Sequence, residues 1–554
     1  MKRARLICAV ASATALLAAC GGSNDNSAVP FLPTPAAVVP SPPPDAPPDT
    51  PPVAEEPPPL TVAKAVCVEG GTPESALQGQ VPAAMRQVGF KGFSCNLQLV
   101  GQYEGEGGTW SSASFRDPGG RTCAYHATAH PMKDLNGTSR GRVNPGVPVI
   151  DITDPAKPWR TQSLVTPAML DPWESLRVNA RRQLLIADNG GNVGYMGGPE
   201  IDVYDLSADC RTPQLLASME VGTGKDGGIQ PPQRPAGHEG NVSPDGLTYY
   251  IGDFLGGRYH AVDITHSTKP RLVASFDMAT TGLGGPHGLS VSEDGKRAYV
   301  VSSHVATPSE MLDPDAPARN GFLILDTSEV QARVPDAQMK VISSVTFKDG
   351  SVAQHTIPVT IGGKPHLVMV DEAGSAGLSG TASVKQACDA KQVAYPMARI
   401  YDISDEKKPV LVSKLMLETH DPANCDKVLP DIAGLSIFTY GSHYCSVDNR
   451  DNGTALACSY FNSGVRVFDI RNPARPKEIA YYNPAGATTP RAGSLHSELG
   501  AAVSGGPDWC ASRADFDFDR GLLTTMCQDN GLLVLKFAKG TWPFAQSTPS
   551  TLQN

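Results

Sequence analysis

The chain has 554 residues, 46 Lys+Arg against 56 Asp+Glu, and a formal net charge of −10. That length allows a large core, and the acidic balance excludes a nucleic-acid partner. Gly (55) and Pro (49) are abundant, charged residues are only 18%, and no long helical pattern is present, which favours a β protein with many turns.

The first residues read as a sorting signal. Lys2, Arg3 and Arg5 precede an apolar run from Leu6 to Ala19, too short and too Ala-rich for a stable membrane span. The run ends Leu17-Ala18-Ala19-Cys20, which resembles the bacterial lipobox. The expectation is that residues 1–19 are removed and Cys20 is lipidated. Gly21 after the cysteine implies the outer membrane, with the body anchored at the periplasmic or extracellular face. From Val29 to Leu60 proline recurs at nearly every second or third position, so residues 20–60 are expected to be a disordered, semi-rigid stalk. Residues 61–94 form an N-terminal extension, 95–540 the folded body and 541–554 a disordered tail.

Setting aside Cys8 and Cys20, ten of the 12 cysteines remain, which suits an exported, disulfide-bonded protein. Sequence neighbours suggest Cys67–Cys95, Cys123–Cys210, Cys388–Cys425, Cys445–Cys458 and Cys510–Cys527, although spacing does not determine connectivity. The last two are favoured, because each joins adjacent strands of one hairpin. No CxxC pair is present, which removes zinc-finger and thioredoxin readings.

A short apolar strand ending in aspartate recurs: Val149-Ile150-Asp151, Val203-Tyr204-Asp205, Ala261-Val262-Asp263, Ile324-Leu325-Asp326, Ile400-Tyr401-Asp402 and Val467-Phe468-Asp469. A seventh copy, Leu533-Val534-Leu535-Lys536, has lost the aspartate. The aspartates lie 54 to 76 residues apart, and Asp-Gly hairpins at Asp245-Gly246 and Asp294-Gly295 precede two of the strands. Four strands, A to D, repeated at this spacing are propeller blades, which must stack around an axis to bury their faces. The seventh copy lacks strand D. Leu97–Tyr103 reads as that strand and is expected to pair with Leu533–Phe537. The fold class is therefore all-β: a seven-bladed β-propeller of four-stranded blades, closed by an N-terminal strand after a disordered tether.

These strands resemble the LVIVD-repeat family, over roughly residues 95–537. The resemblance implies an exported propeller and says little about chemistry. A more distant likeness, of architecture only, is to selenium-binding and methanethiol-oxidase-like propellers, which carry metal-binding histidines.

Strand A lines the channel of a propeller, so residues at its start converge on the axis. Aligning the hairpins places Ser111, Glu174, His238, His287, His355, His443 and either Cys510 or Arg513 there. Four consecutive histidines among 12 in the chain suggest a transition metal (Cu, Fe or Zn) held by His238, His287, His355 and His443. Carotenoid-cleaving oxygenases use four axial histidines in the same way, an analogy of arrangement only. Glu174 and Glu239 are candidate catalytic acid–base groups or carboxylate ligands. Asp188, Asn189, Asp253, His304, Asp371, Glu372 and Asp529, from B–C loops, are candidates to orient the rings. The competing reading is that these histidines are structural, each hydrogen-bonded within or between blades, as the Gly-His pair of WD-type propellers is. His126, His130, His420 and His496 are weaker ligand candidates.

Long D–A and B–C insertions gather on the histidine face, the top. Two functions follow. The first is a surface-anchored, monomeric binding or scaffolding module that engages a protein, polysaccharide or small-molecule ligand through the top loops and the membrane through its lipid. The alternative is a metal-dependent (Cu or Fe) oxidoreductase with an axial four-His site. The coordinates of the four rings discriminate the two. No GxSxG elbow, P-loop or dinucleotide fingerprint is present.

Overall fold

The computed structural model describes residues 60–541, except 69, 131–140, 192–196, 379, 436, 497–498 and 500–504. Cys20, the stalk up to residue 59, His130's neighbours from 131 on and the tail from 542 lie outside the described residues.

Seven antiparallel sheets follow one another around a ring. Their first strands are Ser112–Arg116, Arg177–Asn179, Glu239–Val242, Leu289–Val291, Ser351–Ile361, Cys445–Val447 and Asp515–Asp517. These are strands A of blades 1 to 7; those of blades 1 to 6 neighbour one another in turn and form the inner wall. Each blade boundary has its own apolar cluster. Tyr125, Val149, Leu176 and Leu185 bind blade 1 to blade 2, and Ala124, Ile150, Leu522 and Val534 bind blade 7 back to blade 1. Stacking thus buries both faces of every sheet, which no single blade can do alone.

The repeated aspartate has a structural task. Asp151, Asp205, Asp263, Asp326, Asp402 and Asp469 each accept the backbone N–H two residues on, at 2.8–3.0 Å. Each therefore closes an Asx turn that sends strand C into strand D. A one-residue shift in register between C and D recurs in all seven blades. Such a bulge strengthens the local twist.

The ring closes as the sequence predicts. Leu97–Tyr103 pairs with Gly531–Phe537, from Leu97 opposite Phe537 to Tyr103 opposite Leu532. Even this strand carries the bulge, between Leu99 and Gly101. The N-terminal extension does more than the sequence indicates. Phe93–Cys95 adds a fifth strand to blade 6 by pairing with Lys477–Asn483.

All five expected disulfides are present. Cys445 faces Cys458 across the first hairpin of blade 6, and Cys510 faces Cys527 across a bridge in blade 7. Cys388–Cys425 joins two top-face helices, Thr381–Asp389 and Cys425–Ile432, from the insertions before and after the outer strands of blade 5.

Candidate metal centre

The chain enters each inner strand through a short segment whose backbone is pinned. The Glu174 N–H donates to the His238 carbonyl at 3.3 Å, the His287 N–H to the Tyr259 hydroxyl at 2.9 Å, and the His443 N–H to the Ser459 carbonyl at 2.9 Å. Gly288 permits the close fit beside His287: a Cβ there would lie 2.1 Å from Glu239 Oε2 and 2.3 Å from the Gln354 carbonyl oxygen.

These segments bring three of the four expected histidines together with two glutamates. His238 Nε2 lies 3.2 Å from His287 Nε2 and 3.4 Å from Glu174 Oε2. His287 Nε2 lies 3.7 Å from Glu174 Oε2 and 3.6 Å from Glu372 Oε2. His443 Nε2 lies 3.1 Å from Glu174 Oε1 and 3.4 Å from Glu372 Oε1. Glu174 Oε2 is buried and has no hydrogen-bond partner among the described residues. Glu372 is the penultimate residue of strand B of blade 5, Lys364–Ala373. The sequence names it only as an orienting group, but its carboxylate faces the rings directly.

Two of the rings have fixed tautomers. His287 Nδ1–H donates to Glu239 Oε2 at 3.3 Å, and His443 Nδ1–H donates to the Ala511 carbonyl at 2.6 Å. Both Nε2 atoms then face the centre, and a ring bound to a metal would give up the proton there. A carboxylate behind a ligating imidazole is the usual support of a metal-bound histidine. Glu239 is itself held by buried arginines: Arg177 Nη2 donates to its Oε1 at 3.1 Å and Arg513 Nη2 at 3.5 Å. Glu239 therefore orients and does not reach the centre. Arg513, not Cys510, is the axial residue of blade 7, stacked over the Tyr444 ring at 4.7 Å. Cys510 is spent on its disulfide.

His355 is turned away. Its Nδ1–H donates to Gln354 Oε1 at 2.8 Å, and its Nε2 accepts the Cys445 N–H at 3.3 Å. The cause is a register shift between Ala353 and His355, which leaves Gln354 as the extra residue of a bulge. Side chains alternate along a strand, so one inserted residue exchanges which neighbour faces the axis. Gln354 takes the inward place, its amide nitrogen 3.4 Å from His443 Nε2. Of the four expected histidines, three meet on the axis with two carboxylates, and His355 does not.

Electrostatics follow from burial. Burial pushes Glu174 above the ordinary carboxylate range. Burial, helped by His287 and His443, drives His238 well below 6.5. Burial also opposes a charge on His287 and His443, yet Glu174, Glu239 and Glu372 lift His287 to about 9, and Glu174 with Glu372 lifts His443 to about 10. The centre thus attracts positive charge.

An aromatic layer covers the cluster. Trp110 and Phe461 lie 5.1 and 5.2 Å from the His443 ring, and Phe254 stacks on His238 at 5.2 Å. Trp173, Phe438 and Trp509 extend this layer. The His238 side chain is 21% exposed, against 3% for His287 and 0% for His443. Access to the centre is past His238.

The other candidates lie elsewhere. Asp188 accepts the Tyr249 hydroxyl at 3.0 Å, Asp253 pairs with His260 at 3.2 Å, Asp371 pairs with Arg399 and His304 lies 3.6 Å from Glu310. Asn189 donates to Glu200 at 3.0 Å. His126 is buried at the end of strand B of blade 1, and His420 stacks on Tyr460. Ser111 donates to the Trp173 carbonyl. His496 donates through Nδ1 to Asp529 at 2.8 Å, with Asp508 3.6 Å away. A cleft of about 240 Å³, lined by Leu60–Val62, Leu411–Lys414 and Ala474–Pro476 among others, shares no residue with the centre.

No protein-family model matches the chain, and no curated protein matches it. Solved structures are similar to it. The β-propeller domain of Cps50 (Swd1) from Myceliophteria thermophila is 10% identical with a TM-score of 0.44, over 80% of this chain and 100% of that one. The periplasmic gluconolactonase PpgL of Pseudomonas aeruginosa is 12% identical with a TM-score of 0.45, over 74% of this chain and 93% of that one. A protein from Lactobacillus plantarum is 11% identical with a TM-score of 0.41, over 70% and 85%.

Proposed function

We propose that this chain is a metal-dependent oxidoreductase, anchored at the outer membrane through Cys20, with a transition-metal centre on the propeller axis. The observation that carries the reading is the spacing of the donor atoms. Ligands ~2.1 Å from one ion and adjacent in its shell stand about 3.0–3.5 Å apart. Of six donor separations among the three histidines, Glu174 and Glu372, four lie between 3.1 and 3.4 Å and two at 3.6 and 3.7 Å. A buried carboxylate oxygen without a hydrogen bond, Glu174 Oε2, is the atom an ion would satisfy.

Imidazole nitrogens mixed with carboxylate oxygens suit iron better than the softer copper(I), and zinc has no redox chemistry. When bound, the metal supplies electron transfer at a position that the aromatic layer shields from bulk water. His238, His287 and Glu174 would hold it, Glu239 fixes the His287 ring, and Phe254 and Trp173 flank the way in for a small, largely apolar substrate.

Metal analysis tests this on tag-free protein. After anaerobic loading with iron and removal of excess, at least one equivalent should remain per chain and should cycle under dithionite and ferricyanide. Less than a tenth of an equivalent, with iron and with copper alike, overturns the reading. Retained metal that does not change oxidation state leaves the centre and removes the oxidoreductase.

A further inference from the structure

We infer that the axial centre takes two first-row divalent ions, bridged by Glu174, with Glu372 on the second. The inference rests on the metal-centre reading above and goes beyond it in the number of ions and in the role of each carboxylate.

Each glutamate divides its two oxygens between two groups of histidines. Glu174 presents Oε2 to His238 and His287 but Oε1 to His443. Glu372 presents Oε2 to His287 and Oε1 to His443. The donors accordingly fall into two sets, Glu174–His238–His287 and Glu174–Glu372–His443, each within 4.8 Å, sharing only Glu174. One ion at ~2.1 Å from every donor would require all of them within about 4.2 Å of each other. Two ions need no such convergence. The first sits against His238, His287 and Glu174 Oε2. The second sits against His443 and the Oε1 atoms.

A carboxylate whose two oxygens bind different ions sets them about 3.5–4 Å apart, the separation of two-metal sites. Here Glu174 does this and Glu372 completes the second set, both nearly buried: their side chains are 2% and 10% exposed. The outer arrangement is suited to both ions. Glu239 backs the His287 ring on the first, and the Ala511 carbonyl backs the His443 ring on the second. His443 has no other charged partner than these two carboxylates among the described residues. A single ion held by His238, His287 and Glu174 leaves this ring outside its shell, and a second ion takes it up.

Manganese(II) is a suitable probe, because exchange coupling between two ions gives an electron paramagnetic resonance spectrum distinct from that of one. Loaded full-length protein should retain two equivalents per chain and show a coupled pair. His443→Ala should lower this to one equivalent with the spectrum of an isolated ion, and His238→Ala should weaken the other position. Far-UV circular dichroism identifies any variant that fails to fold, and His443→Gln then replaces it. One equivalent in the unaltered protein, uncoupled, overturns the pair and leaves the single centre standing. So does one equivalent that His443→Ala does not change. Less than a tenth of an equivalent removes both readings together.

Discussion

At the scale of single residues, two side chains carry most of what the repeat and the centre require. The repeat's aspartate is a turn residue. Asp469→Ala removes the bond from the Arg471 N–H and should destabilise the protein by about 1 kcal/mol, measured by urea unfolding, with Asp469→Asn recovering most of it. Glu239 is a positioning residue. Glu239→Gln keeps its shape but weakens its hold on His287, Arg177 and Arg513. Metal affinity should fall by about 10–100-fold while the far-UV spectrum stays unchanged. If affinity is unaltered, Glu239 does not orient the ring. The aspartates were legible in the sequence because six copies repeat one pattern. His355 was not, because a bulge at Gln354 leaves no mark in composition or spacing. Glu372 was visible only as a loop carboxylate. Its aim depends on where strand B of blade 5 ends relative to the axis, which is a tertiary fact.

At the scale of elements, closure rests on Leu97–Tyr103. Gly101 follows the bulge of this strand, and a Cβ there would lie 2.0 Å from the Pro155 carbonyl oxygen. Gly101→Val should therefore destabilise the ring by about 2–3 kcal/mol or more. Hydrogen exchange should show the loss first in Gly531–Phe537, the partner strand. Uniform loss over all blades would mean that closure is not the weak point. This strand was readable because its alternation matches the other D strands and the seventh copy lacked one. Phe93–Cys95 was not, because three residues are too few to show a period. Its pairing with blade 6 depends on the neighbouring Cys67–Cys95 link and the packing of Phe90 and Phe93 on Tyr481.

At the scale of the whole molecule, burial couples stability to pH. His126 and His420 lie apart from the centre, and burial lowers them to about 4 and about 3. Unfolded, both titrate near 6.5, so the unfolded chain binds more protons as pH falls below that value. Their contribution is complete above about 6.5 and is lost as pH falls toward 4 and 3, by roughly 2 kcal/mol per ring at pH 5. The drop in unfolding free energy between pH 7 and pH 5 should be about 2 kcal/mol smaller in His420→Gln than in the unaltered protein. An equal drop in both would contradict a neutral His420.

The seven-bladed ring places Glu174, His238, His287 and His443 at one point and sends His355 into a blade. The central claim is that this point holds metal. Its most direct test is diffraction from crystals loaded with iron or manganese, with data collected on either side of the metal's absorption edge. An anomalous peak between His238 Nε2, His287 Nε2 and Glu174 Oε2 is the predicted result, with a second beside His443 if the ions are paired. An occupied crystal surface with no peak on the axis, and the three rings hydrogen-bonded to protein or water alone, would contradict the account.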